Sequence, residues 1–175
     1  MKKIKLFIAM SLDGYIADAS GEIQWLDPYN SVTDDSYQLF YETIDTVIMG
    51  SKTYQQITEV LSPESYPYRD AETYVFSTRH LEPQERVTIV NQPVDSFVSS
   101  LKEMPGKDIW IVGGAAIVEP LVKANLIDEY WIAVAPVLLG DGIPLFSKMD
   151  FVQTLVPMSA EHIGQLVYLK YQKRK

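Results

Sequence analysis

A chain of 175 residues, 47% of them hydrophobic, is long enough to bury one core, and its length gives no reason to expect a second, so residues 1–175 read as a single domain. With 23 acidic side chains against 15 basic ones the formal charge is −8, which repels phosphate backbones and anionic lipid and argues against nucleic acid or membrane as partners. The lack of cysteine removes disulfides, thiolate catalysis and zinc–sulfur sites together.

The amino end, Met1-Lys2-Lys3-Ile4-Lys5-Leu6-Phe7-Ile8, is basic like a signal peptide, but its apolar run breaks at Ser11-Leu12-Asp13-Gly14, too soon for a secretory core. It reads as a buried strand over Ile4–Met10. No apolar stretch reaches the roughly 20 residues of a membrane span, so a cytoplasmic location is the expectation. Tyr37, Phe40, Tyr41 and Ile44 fall at helical spacing behind Thr33-Asp34-Asp35 and predict a helix. A strand over Thr46–Met49 follows, then a short helix marked by Tyr54, Ile57 and Leu61. Two prolines make Ser62–Arg69 a loop. Strands over Thr73–Phe76 and Val87–Val90 precede a helix carrying Val94, Phe97, Val98, Leu101 and Met104 after Pro93. Another strand, Ile109–Val112, leads into a helix with Ile117, Val118, Leu121 and Val122, and Tyr130–Ala135 is the next strand. Most of these runs are too continuous for a half-exposed sheet and suit strands covered on both faces. The tail has strand-like segments at Phe151–Pro157 and Gln165–Gln172 joined by Met158–Gly164, which predicts an antiparallel hairpin at the sheet edge. The fold class is α/β: a mixed, mainly parallel sheet with helices on both faces and a C-terminal antiparallel hairpin.

Three strand ends carry candidate chemistry. In Thr46-Val47-Ile48-Met49-Gly50-Ser51-Lys52-Thr53-Tyr54 a buried strand delivers glycine, two hydroxyls and a cation into a helix start, where free N–H groups and the helix dipole favour an anion. In Ile111-Val112-Gly113-Gly114-Ala115-Ala116-Ile117 paired glycines allow close backbone approach, and small alanines leave room for a pyrophosphate. Each glycine alone also fits an ordinary tight turn; two such junctions in one chain point to a dinucleotide. Neither matches the G-x-G-x-x-G or G-x-x-x-x-G-K-[ST] signatures. The third end, Ser77-Thr78-Arg79-His80, offers hydroxyls and a guanidinium fork suited to an adenosine 2′-phosphate, or equally a solvated turn. His80 and His162 have no second ligand at metal spacing, so no metal is expected.

In order, these segments resemble the dihydrofolate-reductase-like superfamily, and more closely the branch containing the reductase domain of bifunctional riboflavin-biosynthesis proteins. The residues that carry the resemblance are Ile8-Ala9-Met10-Ser11-Leu12-Asp13-Gly14-Tyr15-Ile16-Ala17, Val47–Tyr54, Ile111–Ala115, and Asp128–Trp131 through Ala135–Phe146. The resemblance implies a three-layer fold, NADPH across the carboxyl ends of the strands, and a homodimer. It implies Ala9, Ile16 and Ala17 beside the nicotinamide, with Lys52, Thr53, Ser77, Thr78 and Arg79 toward the adenosine phosphate; Gly50 and Ser51 of the same junction are further cofactor-binding candidates. Gly113, Gly114, Ala115, Ala116 and Ile117 would cover the pyrophosphate, with a cis peptide joining the glycine pair. Relatives commonly carry arginine where this chain has Ser51, which leaves Lys52 and Arg79 as the nearby cations.

Trp25, Phe40 and Ala133 are the residues expected at a substrate pocket, and Asp13–Trp25 the expected closing loop. No catalytic acid is assigned: counting back from Gly50 favours Asp34, whereas aligning on Phe40 puts Ser36 there, and both Asp34 and Asp35 also fit ordinary charges at a helix start. The activity implied is NADPH-dependent hydride transfer to a small heterocyclic or sugar-linked substrate, with 5-amino-6-(5-phosphoribosylamino)uracil as the family's example. Arg69 and Arg86 are the loop cations available for a substrate phosphate. No deaminase segment or zinc motif is present, so a stand-alone relative with another substrate is also open. A folate reductase, and a non-catalytic dinucleotide-binding or dimerising module, are the competing readings.

Overall fold

Alternate residues of the first apolar run face opposite ways, and that alternation builds two cores. Ile4, Leu6 and Ile8 join Ile109, Ile111 and Ile132 on one side, while Phe7 joins Phe40, Trp110 and Trp131 on the other. The computed structural model describes residues 1–29 and 35–175. Its strands are β1 (Ile4–Ser11), β2 (Tyr15–Ala17), β3 (Ile44–Gly50), β4 (Glu72–Phe76), β5 (Val87–Val90), β6 (Asp108–Gly113), β7 (Glu129–Ala135), β8 (Ile143–Pro144), β9 (Leu155–Ile163) and β10 (Leu166–Lys173). The helices are α1 (Ser36–Tyr41), α2 (Ser51–Gln56), α3 (Val94–Lys102) and α4 (Ala115–Lys123); a 3₁₀ turn covers Gln24–Tyr29, and α2 widens into a π turn over Ile57–Leu61.

One eight-stranded sheet runs β5-β4-β3-β6-β1-β7-β10-β9. Its first six strands pair in parallel, and β10 turns antiparallel between β7 and β9. Helices α3 and α4 bury Val98, Leu101, Ile117, Val118, Leu121 and Val122 against one face. Phe40 of α1 and Tyr54 of α2 seal the other. This is the predicted mixed, mainly parallel sheet with an edge hairpin.

Several boundaries differ from the sequence expectation: β9 begins only at Leu155, so Phe151–Thr154 is not strand, and α3 ends at Lys102, before Met104. Ile44 opens β3 instead of closing the helix of Tyr37 and Phe40, and only Glu42 and Thr43 separate the two elements. In the tail, Met158–Ile163 is strand, not connection, and the chain reverses over Gly164 and Gln165. As an edge strand β9 has one unpaired side, so Met158-Ser159-Ala160-Glu161-His162 lacks the apolar run that would mark it.

The basic amino end is a clamp. Lys2 donates to Asp45 (2.5 Å) and Thr46 (2.9 Å), Lys3 to Glu129 (2.8 Å), and Lys5 pairs with Asp108 (2.8 Å), so the starts of β1, β3, β6 and β7 are tied across the sheet. Burial pushes the Asp45 carboxyl up, but hydrogen bonds from Lys2, Thr46 and the Lys107 amide outweigh it and hold the group below its usual range. A carboxylate whose folded pKa is depressed stabilises the fold above its unfolded pKa, and loses that contribution as pH falls through the folded value. Asp45→Asn is expected to destabilise the protein by about 1–2 kcal/mol at pH 7, between the values for exposed and buried pairs. Urea unfolding at pH 7 and pH 3 checks this: the gap to the parent chain should shrink at the lower pH.

Candidate cofactor and substrate site

The three strand ends singled out in the sequence lie side by side. β4, β3 and β6 are consecutive in the sheet, with Gly50 opposite Phe76 and Met49 opposite Gly113. A Cβ placed on Gly50 would lie 3.5 Å from Ile117, and one on Gly114 would lie 3.7 Å from Thr53 Oγ1. The β3–α2 and β6–α4 junctions therefore touch, and two side-chain-free backbones face the space between them. Glycine caps both helices without a side-chain hydrogen bond, so the first amides of α4 have no partner within the helix or from a cap side chain. Gly113 has φ +123°, and its peptide bond to Gly114 is cis.

Around this cradle Ser51, Thr53 and Ser77 are half-buried, and Lys52, Thr78 and Arg79 are exposed. Arg79 donates from Nη2 to Gln55 Oε1 (3.3 Å), which ties the third junction to α2, and the Arg79 amide donates to Ser77 Oγ (3.0 Å). Gln55 has no sequence signal of its own; only the docking of α2 beside β4 brings it here. The Ile117 side chain packs into the core and its amide donates to Gly114 O (3.0 Å), so Ile117 supplies shape, not a donor.

Across the sheet, Ala9 of β1 pairs with Ala133 of β7, and two small side chains make a shallow floor. Ile16 and Ala17 belong to β2, which pairs with β8, and Ile16 packs against the core of Ile4, Leu6 and Ile132. Asp13 locks this region: its carboxylate accepts from Ser11 Oγ (2.6 Å), the Leu139 amide (3.1 Å) and the Gly140 amide (2.8 Å). The Ser11 hydroxyl, followed by the Gly140 and Leu139 amides, holds the Asp13 carboxyl below its usual range against a smaller upward push from burial. Leu12 donates to Val137 O and Leu145 to Gly14 O (both 2.9 Å), fastening β1–β2 to the 136–146 arm. Within the closing loop expected over Asp13–Trp25, Asp13–Ala17 is tied to the 136–146 arm, while Asp18–Glu22 closes on itself, the Asp18 amide donating to Glu22 O (2.9 Å).

Trp25 lies on the 3₁₀ turn and packs with Ala9, Ala133, Ala135, Leu166 and Tyr168; its Nε1 is buried without a hydrogen-bond partner among the described residues. Ala133 is 3% exposed beneath this group. Phe40, expected on the pocket wall, is 1% exposed, its ring enclosed by Phe7 (4.6 Å between centroids), Trp131 (5.3 Å) and Trp110 (5.5 Å). It is core because α1 lays this side chain directly on the sheet. Asp34 lies outside the described residues, and Asp35 is exposed. Arg69 and Arg86 are elsewhere. Arg86 pairs with Glu72 (2.8 Å), its carbonyl accepts the Thr73 amide (2.8 Å), and Arg69 donates to Ser65; with Tyr66 and Gln84 they line a cleft of about 430 Å³ at the amino ends of β4 and β5. The two glycine junctions are at the carboxyl ends of β3 and β6, so these arginines lie at the opposite end of the sheet from them.

This architecture defines a class. Dihydrofolate reductase from Enterococcus faecalis, solved with NADP(H), matches with a TM-score of 0.63 at 16% identity, over 99% of this chain and 97% of that one, so the fold is dihydrofolate-reductase-like. A Shewanella sp. PV-4 protein assigned to riboflavin biosynthesis is nearer, with a TM-score of 0.83 and 29% identity over 99% of both chains. The RibD C-terminal domain model matches residues 2–169, and the chain belongs to that family. In sequence it is 43% identical over 171 residues to the uncharacterized protein YwjB of Bacillus subtilis, covering 97% of each.

Proposed function

We propose that this protein is an NADPH-dependent reductase that transfers hydride to a small heterocyclic or sugar-linked substrate, with a place in riboflavin biosynthesis as the family's closest precedent. The observation that carries the reading is the convergence of the two glycine junctions, which brings Gly50 against Ile117 at the start of α4 and Gly114 against Thr53 of α2. The amides at the start of α4 and the hydroxyls of Ser51 and Thr53 would hold the cofactor's diphosphate. Lys52, Ser77, Thr78 and Arg79 would hold the adenosine phosphate. Bound there, the cofactor's nicotinamide supplies the hydride. The chain's own work is positional: Ala9 and Ala133 keep the floor shallow, Ile16 and Ala17 hold one edge of the ring site, and Trp25 shields it from water with a buried N–H left to donate.

We further propose a homodimer through the late arm. Leu138, Phe146, Phe151 and Val152 are exposed apolar side chains close in sequence there, Val152 at 93%, which is the surface a second copy would cover.

Titration with NADPH and with NADH, followed by tryptophan fluorescence, tests the reductase reading. Trp25 beside the ring site is the expected reporter. Tight NADPH binding with weaker NADH binding is the expected result; binding of neither would leave the fold as a non-catalytic module.

A further inference from the structure

Two aspartate–glycine pairs stand in this chain, Asp13-Gly14 and Asp141-Gly142, and the fold brings them to the two sides of one clasp. In such a pair the backbone amide can attack the neighbouring side chain with least hindrance, because glycine puts no Cβ in the path of the nitrogen. The two pairs meet that reaction in opposite states.

Asp13 is locked. Its carboxylate accepts from Ser11 Oγ (2.6 Å) and from the Leu139 and Gly140 amides (3.1 and 2.8 Å), and the Gly14 amide already donates to Ser11 O (3.0 Å). Those donors, the Ser11 hydroxyl foremost, hold the Asp13 carboxyl below its usual range, in the ionised form whose oxygen leaves poorly. Asp141 is exposed, and among the described residues its carboxylate has one partner, the amide of its own neighbour: Gly142 N donates to Asp141 Oδ1 at 2.8 Å. The nucleophile and the carbon it would attack therefore stand side by side, and no third group restrains them.

We infer that Asp141-Gly142 is a self-modification site, at which Asp141 converts slowly to isoaspartate while Asp13-Gly14 stays intact. The Gly142 nitrogen bonds to Cγ of Asp141, and its proton leaves with the carboxyl hydroxyl as water, closing a five-membered succinimide. Water then adds at either carbonyl. Opening at Cγ restores aspartate; opening at the main-chain carbonyl leaves the chain running through Cβ and Cγ, with the old carbonyl a free carboxylate. Nothing is oxidised or reduced, and water is the only co-reactant.

The product adds one main-chain atom directly before Gly142. That glycine is packed against β2: a Cβ on it would come 2.2 Å from Ala17 O, and the next residue, Ile143, pairs with Ala17. An inserted atom breaks the register in which Gly140 meets Asp13 and Ile143 meets Ala17, so modification loosens the arm from β2. That loosening follows from the fold alone. A loss of NADPH affinity with it rests on the reductase reading, which puts Ile16 and Ala17 at the nicotinamide.

The full chain is aged at pH 7 for weeks, digested with trypsin, and resolved by chromatography with mass spectrometry that locates the isomer. Fragment Ala124–Lys148 carries Asp141, and Leu6–Lys52 carries Asp13. Isomerisation is expected at Asp141 at least about tenfold faster than at Asp13, where a hydrogen bond to a charged group must first break. A protein-isoaspartate methyltransferase with labelled S-adenosylmethionine should mark the first fragment and not the second. In chain unfolded by urea the two sites should react at comparable rates, since the lock on Asp13 is gone. Asp141→Glu, whose extra methylene disfavours ring closure, should abolish the new species and keep its melting temperature on ageing, whereas the aged parent should melt lower. An unchanged Asp141, or equal rates at the two sites in folded chain, overturns the inference. If Asp141 isomerises and the melting temperature falls in a chain that binds no NADPH, fresh or aged, the inference stands and the reductase reading falls.

Discussion

Gly142→Ala is expected to cost about 2–4 kcal/mol of stability and to weaken NADPH binding at a site whose phosphate residues it never touches. Gly142 has φ +156°, and a Cβ there would come 2.2 Å from the Ala17 carbonyl oxygen and 3.3 Å from Asp18 Cα. The obstacle is backbone on a paired strand, so no side chain can swing aside. Overpacking costs about 1–3 kcal/mol and a disfavoured backbone conformation a similar amount. The arm must move off β2, which breaks the β2–β8 pairing and loosens the grip of Asp13 on Leu139 and Gly140. Because Ile16 and Ala17 are expected to edge the nicotinamide, the damage should reach the cofactor. Gly140→Ala is the control. Its φ is +78° but nothing lies within 4 Å of the added carbon, so it carries only the conformational term, about 1 kcal/mol. Thermal melts and NADPH titrations of both variants decide the matter; equal effects would show that the Ala17 contact does not couple the arm to the ring site.

Arg79→Ala should weaken NADPH by about 10–100-fold and leave NADH nearly unchanged. A hydrogen bond to a charged group contributes about 1.5–3 kcal/mol, and an arginine fork matches a phosphate in geometry as well as charge. Arg79 is exposed and bonded only weakly to Gln55 at 3.3 Å, so little is lost on turning it to a ligand. The 2′-phosphate is the sole difference between the two nucleotides, so the ratio of the two dissociation constants isolates this contact from general damage. Equal losses for both would remove Arg79 from the phosphate site and leave Lys52 as the remaining cation there.

The element types were readable because each is written over neighbouring residues. Continuous apolar runs marked β1, β3, β6 and β7, and glycine with small residues marked the two junctions, since period and turn chemistry are local properties. The edge strand β9 was half-missed for the complementary reason: it is packed from one side only, so half its residues answer to solvent. Ile44 was misplaced because its helical spacing to Tyr37 and Tyr41 is real, yet the clamp of Lys2 on Asp45 and the pairing of β3 with β6 pull it into the sheet. Phe40 and Ala133, both expected at a substrate pocket, are buried at 1% and 3% exposure, and that depends on what α1 and the 3₁₀ turn cover, which no local pattern states.

By itself, then, the order of residues determined that this chain builds a mixed, mainly parallel α/β sheet with two glycine-capped helix starts and no thiol chemistry. Only the tertiary structure decided that those two starts touch, that Arg69 and Arg86 lie at the far end of the sheet, and that Asp13 grips Gly140 from 127 residues away. The physical reason is the range of the interactions. Helix and strand preferences are set within a few residues of the chain, whereas convergence, clasping and charge pairing depend on the register of strands that are distant in sequence and adjacent in space.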